Sequence, residues 1–192
     1  MKKRIVYIVS YFLLLLTLFV CQKPFFMLYN DAAEKGALFS DFFRVMGNGI
    51  SLDATTAGYL TALPFLMVLI SIWVKKFPLR KILLPYYIIA SLLVAVVFVV
   101  DMGLYPFWGF KLDASIFLYL DSPKEAMASV SFGFILLRVV AMLMLTTFYV
   151  WLMCKVTPHQ LEVTAKRIGG TLGMLFLGGI LFIIIRGGVT ES

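Results

Sequence analysis

Charge is scarce in this sequence: Asp, Glu, Lys and Arg make up 14% of its 192 residues, where a soluble domain carries about a quarter. With 62% apolar residues and a mean hydropathy of +0.99, a water-exposed globular domain is excluded. Histidine occurs once, as His159, so there is no His-Glu-x-x-His zinc motif. A Gly-x-Ser-x-Gly nucleophile elbow and a phosphate-binding glycine loop are also missing. These absences argue against an independent membrane enzyme, and His159, just after Pro158, reads as a solvent-exposed loop residue rather than a ligand. Cysteine is limited to Cys21 and Cys154. They fall at opposite ends of apolar blocks, roughly 20 Å or more apart in depth, against the roughly 7 Å a disulfide tolerates. Both read as small packing residues. Alternating ten-residue segments of the kind that build a membrane β-barrel do not occur.

What is present is long apolar runs. A helix needs about 20 mostly apolar residues to cross roughly 30 Å of hydrocarbon, and backbone polar groups in lipid must be satisfied within the helix. Five blocks qualify, at about 5–27, 54–74, 82–104, 130–154 and 168–185. The fold class expected is an all-α membrane protein, a bundle of about five transmembrane helices with short interfacial helices on the outer side. Residues 1–186 form the domain, and 187–192 begin a linker. Lys2-Lys3-Arg4 before an apolar run imitates a signal peptide, but no good small-residue cleavage site follows, so the first helix is read as uncleaved. Pro64 lies inside the second block, where neighbours must satisfy the carbonyl it frees. Pro85 is placed in the first turn of the third, where a missing N–H costs little. On the fifth, Gly169 and Gly173 form a small-xxx-small pair suited to close helix packing.

The formal charge of +7 does not point to nucleic acid, because the basic residues cluster between apolar blocks instead of forming a stripe. One set of connections holds Lys2, Lys3, Arg4, Lys75, Lys76, Arg80, Lys81, Lys155, Lys166 and Arg167; the other holds Lys23, Lys35, Arg44, Lys111, Lys124 and Arg186. Among the acids, Glu162 alone belongs to the first set. The positive-inside rule then puts the N-terminus in the cytoplasm, and five crossings put the C-terminus outside a plasma (inner) membrane.

Two segments on the outer side are too apolar for ordinary loops. Leu38, Phe39, Phe42, Phe43 and Met46 recur at helical spacing opposite Ser40, Asp41 and Arg44, the pattern of a short helix in the headgroup region. Tyr105-Pro106-Phe107-Trp108-Gly109-Phe110 reads as an aromatic belt with two turn-formers, and Leu112, Ile116, Phe117 and Leu120 mark a second amphipathic stretch. Ser122-Pro123-Lys124-Glu125 carries the cap, proline and glutamate of a helix start, so the fourth helix is expected to begin near Pro123. The outer side is thus expected to be the structured one, with short basic loops inside.

Arg138 is the most informative charge, roughly two turns into the fourth block. Three roles are open to it: snorkelling to outer headgroups, pairing with Asp53 or Asp101, or contacting a lipid phosphate, for which its planar fork is suited. Arg44, Asp53, Lys111 and Asp113 gather at the same interface and, with Arg138 and Asp101, are the lipid-headgroup or structural ion-pair candidates. No catalytic residue and no metal ligand can be assigned.

The stretches Phe43-Arg44, Ser51-Leu52-Asp53-Ala54-Thr55-Thr56-Ala57-Gly58-Tyr59-Leu60 and Leu63-Pro64 belong together with Tyr105 to Asp113, Tyr119-Leu120, Ser122 to Ala126 and Arg186-Gly187-Gly188. Together they resemble the N-terminal membrane region of lipoteichoic acid synthase-like, sulfatase-family proteins of the alkaline phosphatase superfamily, in particular the Bacteroidetes type. The resemblance implies five N-terminal helices followed by a large extracytoplasmic domain with a divalent metal and a threonine or similar nucleophile. Such enzymes transfer phosphoglycerol or phosphoethanolamine from a lipid, or hydrolyse sulfate or phosphate esters. On this reading the chain is the membrane domain of a longer enzyme. It carries no cofactor itself, and its partners are membrane lipids and its own downstream domain. A small transporter or channel, or an accessory subunit that docks a partner on its outer face, is the alternative.

The charge asymmetry yields a direct test. A periplasmic-type reporter fused after Ser192 is expected to be active and a cytoplasmic-only reporter silent; the reverse pattern means that the spans are miscounted.

Overall fold

Lipid leaves an apolar run of this length one stable form, because only a helix pairs every backbone N–H and C=O within the segment. The computed structural model, which describes residues 1–30, 38–108 and 131–187, follows that rule. Its helices are α1 (Lys2–Tyr29), α2 (Phe39–Asn48), α3 (Ile50–Ile70), α4 (Leu79–Trp108), α5 (Phe132–Val156) and α6 (Arg167–Gly187). All but α2 are long and apolar enough to cross a membrane, so the chain is an all-α, multi-pass membrane protein. Lys111, Asp113, the second amphipathic stretch and the Ser122–Ala126 helix start lie outside the described residues.

Successive spans alternate in direction, so one end of the bundle collects the basic connections and the other the acidic ones. In the bundle α3 packs between α1 and α6, and α4 lies along α5. Side chains such as Leu93, Phe176 and Ile183 are exposed all round the outside, as a lipid-facing surface requires. The buried core is weighted to the basic end: Tyr7, Tyr11 and Leu15 of α1 meet Leu83 and Tyr87 of α4, Met153 of α5 and Met174 of α6.

That end is more ordered than short basic loops suggest. The connections after α3 and after α5 pair as a two-stranded antiparallel ladder, β1 (Lys76–Phe77) with β2 (Leu161–Glu162). The two-residue period turns Phe77 and Leu161 inward, while Lys76 and Glu162 remain exposed. Arg4 is 4% exposed. Its Nε donates to Ser71 Oγ (3.0 Å), Nη1 to Thr164 Oγ1 (2.9 Å), and Nη2 to the carbonyls of Ser71 (2.8 Å) and Glu162 (2.5 Å). Behind it runs a hydroxyl chain: Tyr7 and Tyr87 oxygens are 2.7 Å apart, as are those of Tyr87 and Thr157. Thr157 gives its one proton to the Met153 carbonyl, so Tyr87 donates to Thr157 and Tyr7 to Tyr87. Arg80 donates twice to the Thr157 carbonyl, and its Nη1 lies 2.8 Å from Nε2 of the exposed His159. The inner connections, expected as short basic loops, instead carry the densest polar network among the described residues; of the outer segments, 31–37 and 109–130 lie outside those residues.

Several helix starts differ from those expected from hydropathy. α3 begins at Ile50, directly after Gly49 closes α2, and α4 begins at Leu79, which moves Pro85 into the second turn. α5 does not run on from Pro123: Ser131 is extended (φ −71°, ψ 148°) and caps Phe132 onward by accepting from the Phe134 N–H. Pro106 does not end α4, which continues through it to Trp108. The amphipathic helix expected around Phe42 is α2, where Asp41 accepts from the Leu38 N–H and Phe39 and Phe43 pack edge to face. Gly169 and Gly173 are corrected: both are exposed with no neighbour within 4 Å. Close approach falls instead to Gly58 and Gly178. A Cβ on Gly58 would stand 2.7 Å from Ile185 Cγ1, and one on Gly178 2.8 Å from Phe65 Cζ.

Pro64 cannot donate to the Leu60 carbonyl one turn earlier, and Tyr86 of α4 fills the gap, its hydroxyl donating to that oxygen at 2.7 Å. Tyr86→Phe is expected to cost about 1 kcal/mol. The same change in a Pro64→Ala background, where the backbone N–H returns, should cost close to nothing. A double-mutant cycle on unfolding in mixed micelles measures this, and equal costs in both backgrounds would refute the pairing.

Candidate lipid-facing site

Toward the end opposite the basic one, grooves open between α1, α3, α4 and α5, and Gln22, Lys23, Asp53, Asp101 and Arg138 line them. Gln22 and Lys23 sit on α1 just before Pro24. The Lys23 ammonium pairs with Asp53 Oδ2 at 2.5 Å, the two side chains being only 15% and 12% exposed. Asp53 lies in the first turn of α3, where unpaired N–H groups favour a carboxylate. The ammonium lies against Gly49, where a Cβ would fall 2.2 Å from Lys23 Nζ and the lysine tip would have to shift. Gln22 donates to the Tyr149 hydroxyl at 2.9 Å and joins α1 to α5.

Two grooves flank these residues. The first, about 470 Å³ between α1, α3 and α4, is walled by Phe19, Tyr59, Val94 and Phe98, with Gln22, Lys23, Asp53 and Asp101 on its polar side. The second, about 430 Å³ between α1, α4 and α5, contains Leu18, Phe98, Leu145 and Tyr149, and shares Gln22. Arg138 belongs to this second groove. Its Nη2 donates to the Tyr29 hydroxyl, and its guanidinium carbon lies 5.1 Å from the Tyr29 ring centre and 4.7 Å from that of Phe134. Gly103 leaves the room, since a Cβ there would be 3.3 Å from Arg138 Nε.

Of the candidates read from sequence, Asp53 and Asp101 thus share one groove, and Arg138 lies in the other. Arg44 stands exposed on α2, and Lys111 and Asp113 fall outside the described residues. Asp53 pairs with Lys23, and no ion pair joins Arg138 to a carboxylate among the described residues, which removes the Asp53 pairing considered for it. Sequence reasoning missed Lys23 as a site residue and counted it only as an outer basic charge. An ionisable residue inside a span is a functional signal in itself. It was overlooked because it was counted with the outer connections although it lies inside the first span, 5–27. The arrangement suits binding an amphiphile: apolar walls with a few fixed charges at one level. Among the described residues, no three His, Cys, Asp or Glu stand close enough to hold a metal ion.

Comparison with protein-family models, with curated proteins and with solved structures finds no match to this chain.

Breaking the Lys23–Asp53 pair from one side leaves a charge with little water around it. Lys23→Met or Asp53→Asn alone is expected to destabilise the bundle by about 2–4 kcal/mol, and the double substitution by less than the sum. Unfolding in mixed micelles followed by circular dichroism measures both; strictly additive costs would show that the two groups do not interact.

Proposed function

We propose that this chain is the membrane domain of a lipoteichoic acid synthase-like, sulfatase-family enzyme, with its basic end in the cytoplasm and its other end holding a catalytic domain at the outer membrane face. The observation that carries this reading is the exit of α6. Its last turns pack on α3 near Gly58, which places Gly187 at the same end as α2, the Lys23–Asp53 pair and Arg138. Chain that continues from there starts at headgroup level in the leaflet that the charge asymmetry assigns to the outside. A catalytic domain so tethered meets lipid headgroups at high effective concentration. The positive charges of Arg138 and Arg44, with Lys111, favour an anionic headgroup. The metal and the nucleophile belong to that downstream domain, whose chemistry is phosphoglycerol or phosphoethanolamine transfer or ester hydrolysis.

A transporter or channel fits less well, because it needs a continuous polar path. At the basic end Tyr7, Tyr11 and Tyr87 are buried against one another and Arg4 is enclosed by its acceptors. An accessory subunit shares the topology but not the tethered catalysis.

Deleting the membrane domain from the parent enzyme is expected to lower turnover of bilayer lipid roughly a hundredfold, within the range tethering supplies, while turnover of a small soluble ester stays unchanged. A released catalytic domain that processes bilayer lipid as fast as the intact protein would reduce the membrane domain to a passive tether. A parent protein with no phosphotransferase or ester-hydrolase activity would remove the family reading altogether.

A further inference from the structure

Arg138 is the seventh residue of α5, so it lies about 9 Å inside the helix start at about 1.5 Å per residue. Side chains on a helix lean toward its N-terminus, which directs the guanidinium back to the membrane surface. The group is unusually placed for a charge. It has aromatic rings on two sides and one hydrogen bond to Tyr29; its Nε is shielded from solvent and has no hydrogen-bond partner. A guanidinium in low dielectric is costly to leave without an anion, and a phosphate matches its fork.

The groove that Arg138 heads has the dimensions of a lipid tail. On α5 it extends from Arg138 to Tyr149, eleven residues or about 16 Å along the helix. One leaflet's share of the hydrocarbon core is about 15 Å. Below the arginine, Leu18, Phe98, Met102, Ala141 and Leu145 offer an apolar surface, and the polar Gln22 and Tyr149 satisfy each other. Positive charge at headgroup depth above an apolar slot one leaflet long describes a phospholipid oriented as it already stands in the bilayer.

We infer that the α1–α4–α5 groove seats one anionic phospholipid of the leaflet opposite the basic end, its phosphate on Arg138 and one acyl chain along Leu145. The occupant is a structural lipid that fills this groove; it does not depend on the catalytic reading above, and its test involves no turnover. Tyr29 shares the guanidinium with the phosphate instead of replacing it.

The test uses the intact chain in nanodiscs of phosphatidylcholine with a minor fraction of phosphatidylglycerol, a probe whose charge resides in its phosphodiester. Lipid retained on release is counted by native mass spectrometry, and circular dichroism checks the fold of each variant. The native chain is expected to keep phosphatidylglycerol in preference to phosphatidylcholine, and Arg138→Gln to lose about tenfold of that preference. Leu145→Trp, which fills the slot and leaves the charge alone, should also lower retention. Tyr29→Phe should retain the lipid at least as well, since it frees Nη2. If Arg138 only ties α1 to α5, Tyr29→Phe will instead behave as Arg138→Gln, and the proposal falls. It falls too if excess inorganic phosphate displaces the lipid, or if Leu145→Trp leaves retention unchanged. Should Arg138→Gln fail to fold, the Leu145 and Tyr29 variants decide the matter.

Discussion

A guanidinium at the third residue of a membrane helix must either reach water or find acceptors, and in this protein Arg4 does the second. Its donors are met by one side chain and one carbonyl of Ser71, the carbonyl of Glu162 and the hydroxyl of Thr164. Those acceptors sit on the segment after α3 and the segment between α5 and α6, so one side chain ties two distant segments to the foot of α1. The β1–β2 ladder and the Tyr7–Tyr87–Thr157 chain add to the same knot. Helices in lipid gain little from burying apolar surface against one another, so packing and interhelical hydrogen bonds must hold them together. The tight core at this end and the grooves at the other follow from where those bonds are concentrated.

The opposite end deals with its charges singly. Lys23 is neutralised by a carboxylate on the neighbouring helix, and Arg138 is cushioned by rings. Neither arrangement draws more than two helices together. Space is left between them, and it is bordered by apolar side chains and a few fixed polar groups. That combination is what a surface needs to meet lipid headgroups and tails at once, whereas the basic end presents a closed face.

The class of the protein, its five spans and the amphipathic α2 were legible from hydropathy and helical spacing alone, because those signals extend over many residues. The need for a partner at the Leu60 carbonyl was legible too, since proline removes a donor wherever it lies. The donor, Tyr86, was not, because it comes from a different helix. The same limit hid the Arg4 knot. Lys2-Lys3-Arg4 looks like a topology signal, and nothing local distinguishes the third residue, buried against segments about 67 and 160 positions away, from the first two. Gly169 and Gly173 carry a recognised packing spacing yet face outward, while Gly58 and Gly178, which carry none with each other, make the close approaches. Spacing identifies a face of a helix; the neighbour on that face is a tertiary fact. At the lipid-facing end, Arg138 was picked out by its depth in an apolar block and Asp53 as a charge at the outer interface, but Lys23, inside the first block, was counted only as a topology signal.

The separation between Arg4 and its acceptors also has a meaning in time. Ser71 follows Arg4 by 67 residues and Thr164 by 160. At roughly 5–20 residues per second, the last acceptor emerges roughly eight to thirty seconds after the arginine it serves. The first helix therefore carries a cation with incomplete partners until Thr164 has been made. It is served first by water, then by the segment after α3, and sealed only when the connection to α6 arrives. Assembly at this end closes like a drawstring, with the earliest residue of the knot waiting for the latest.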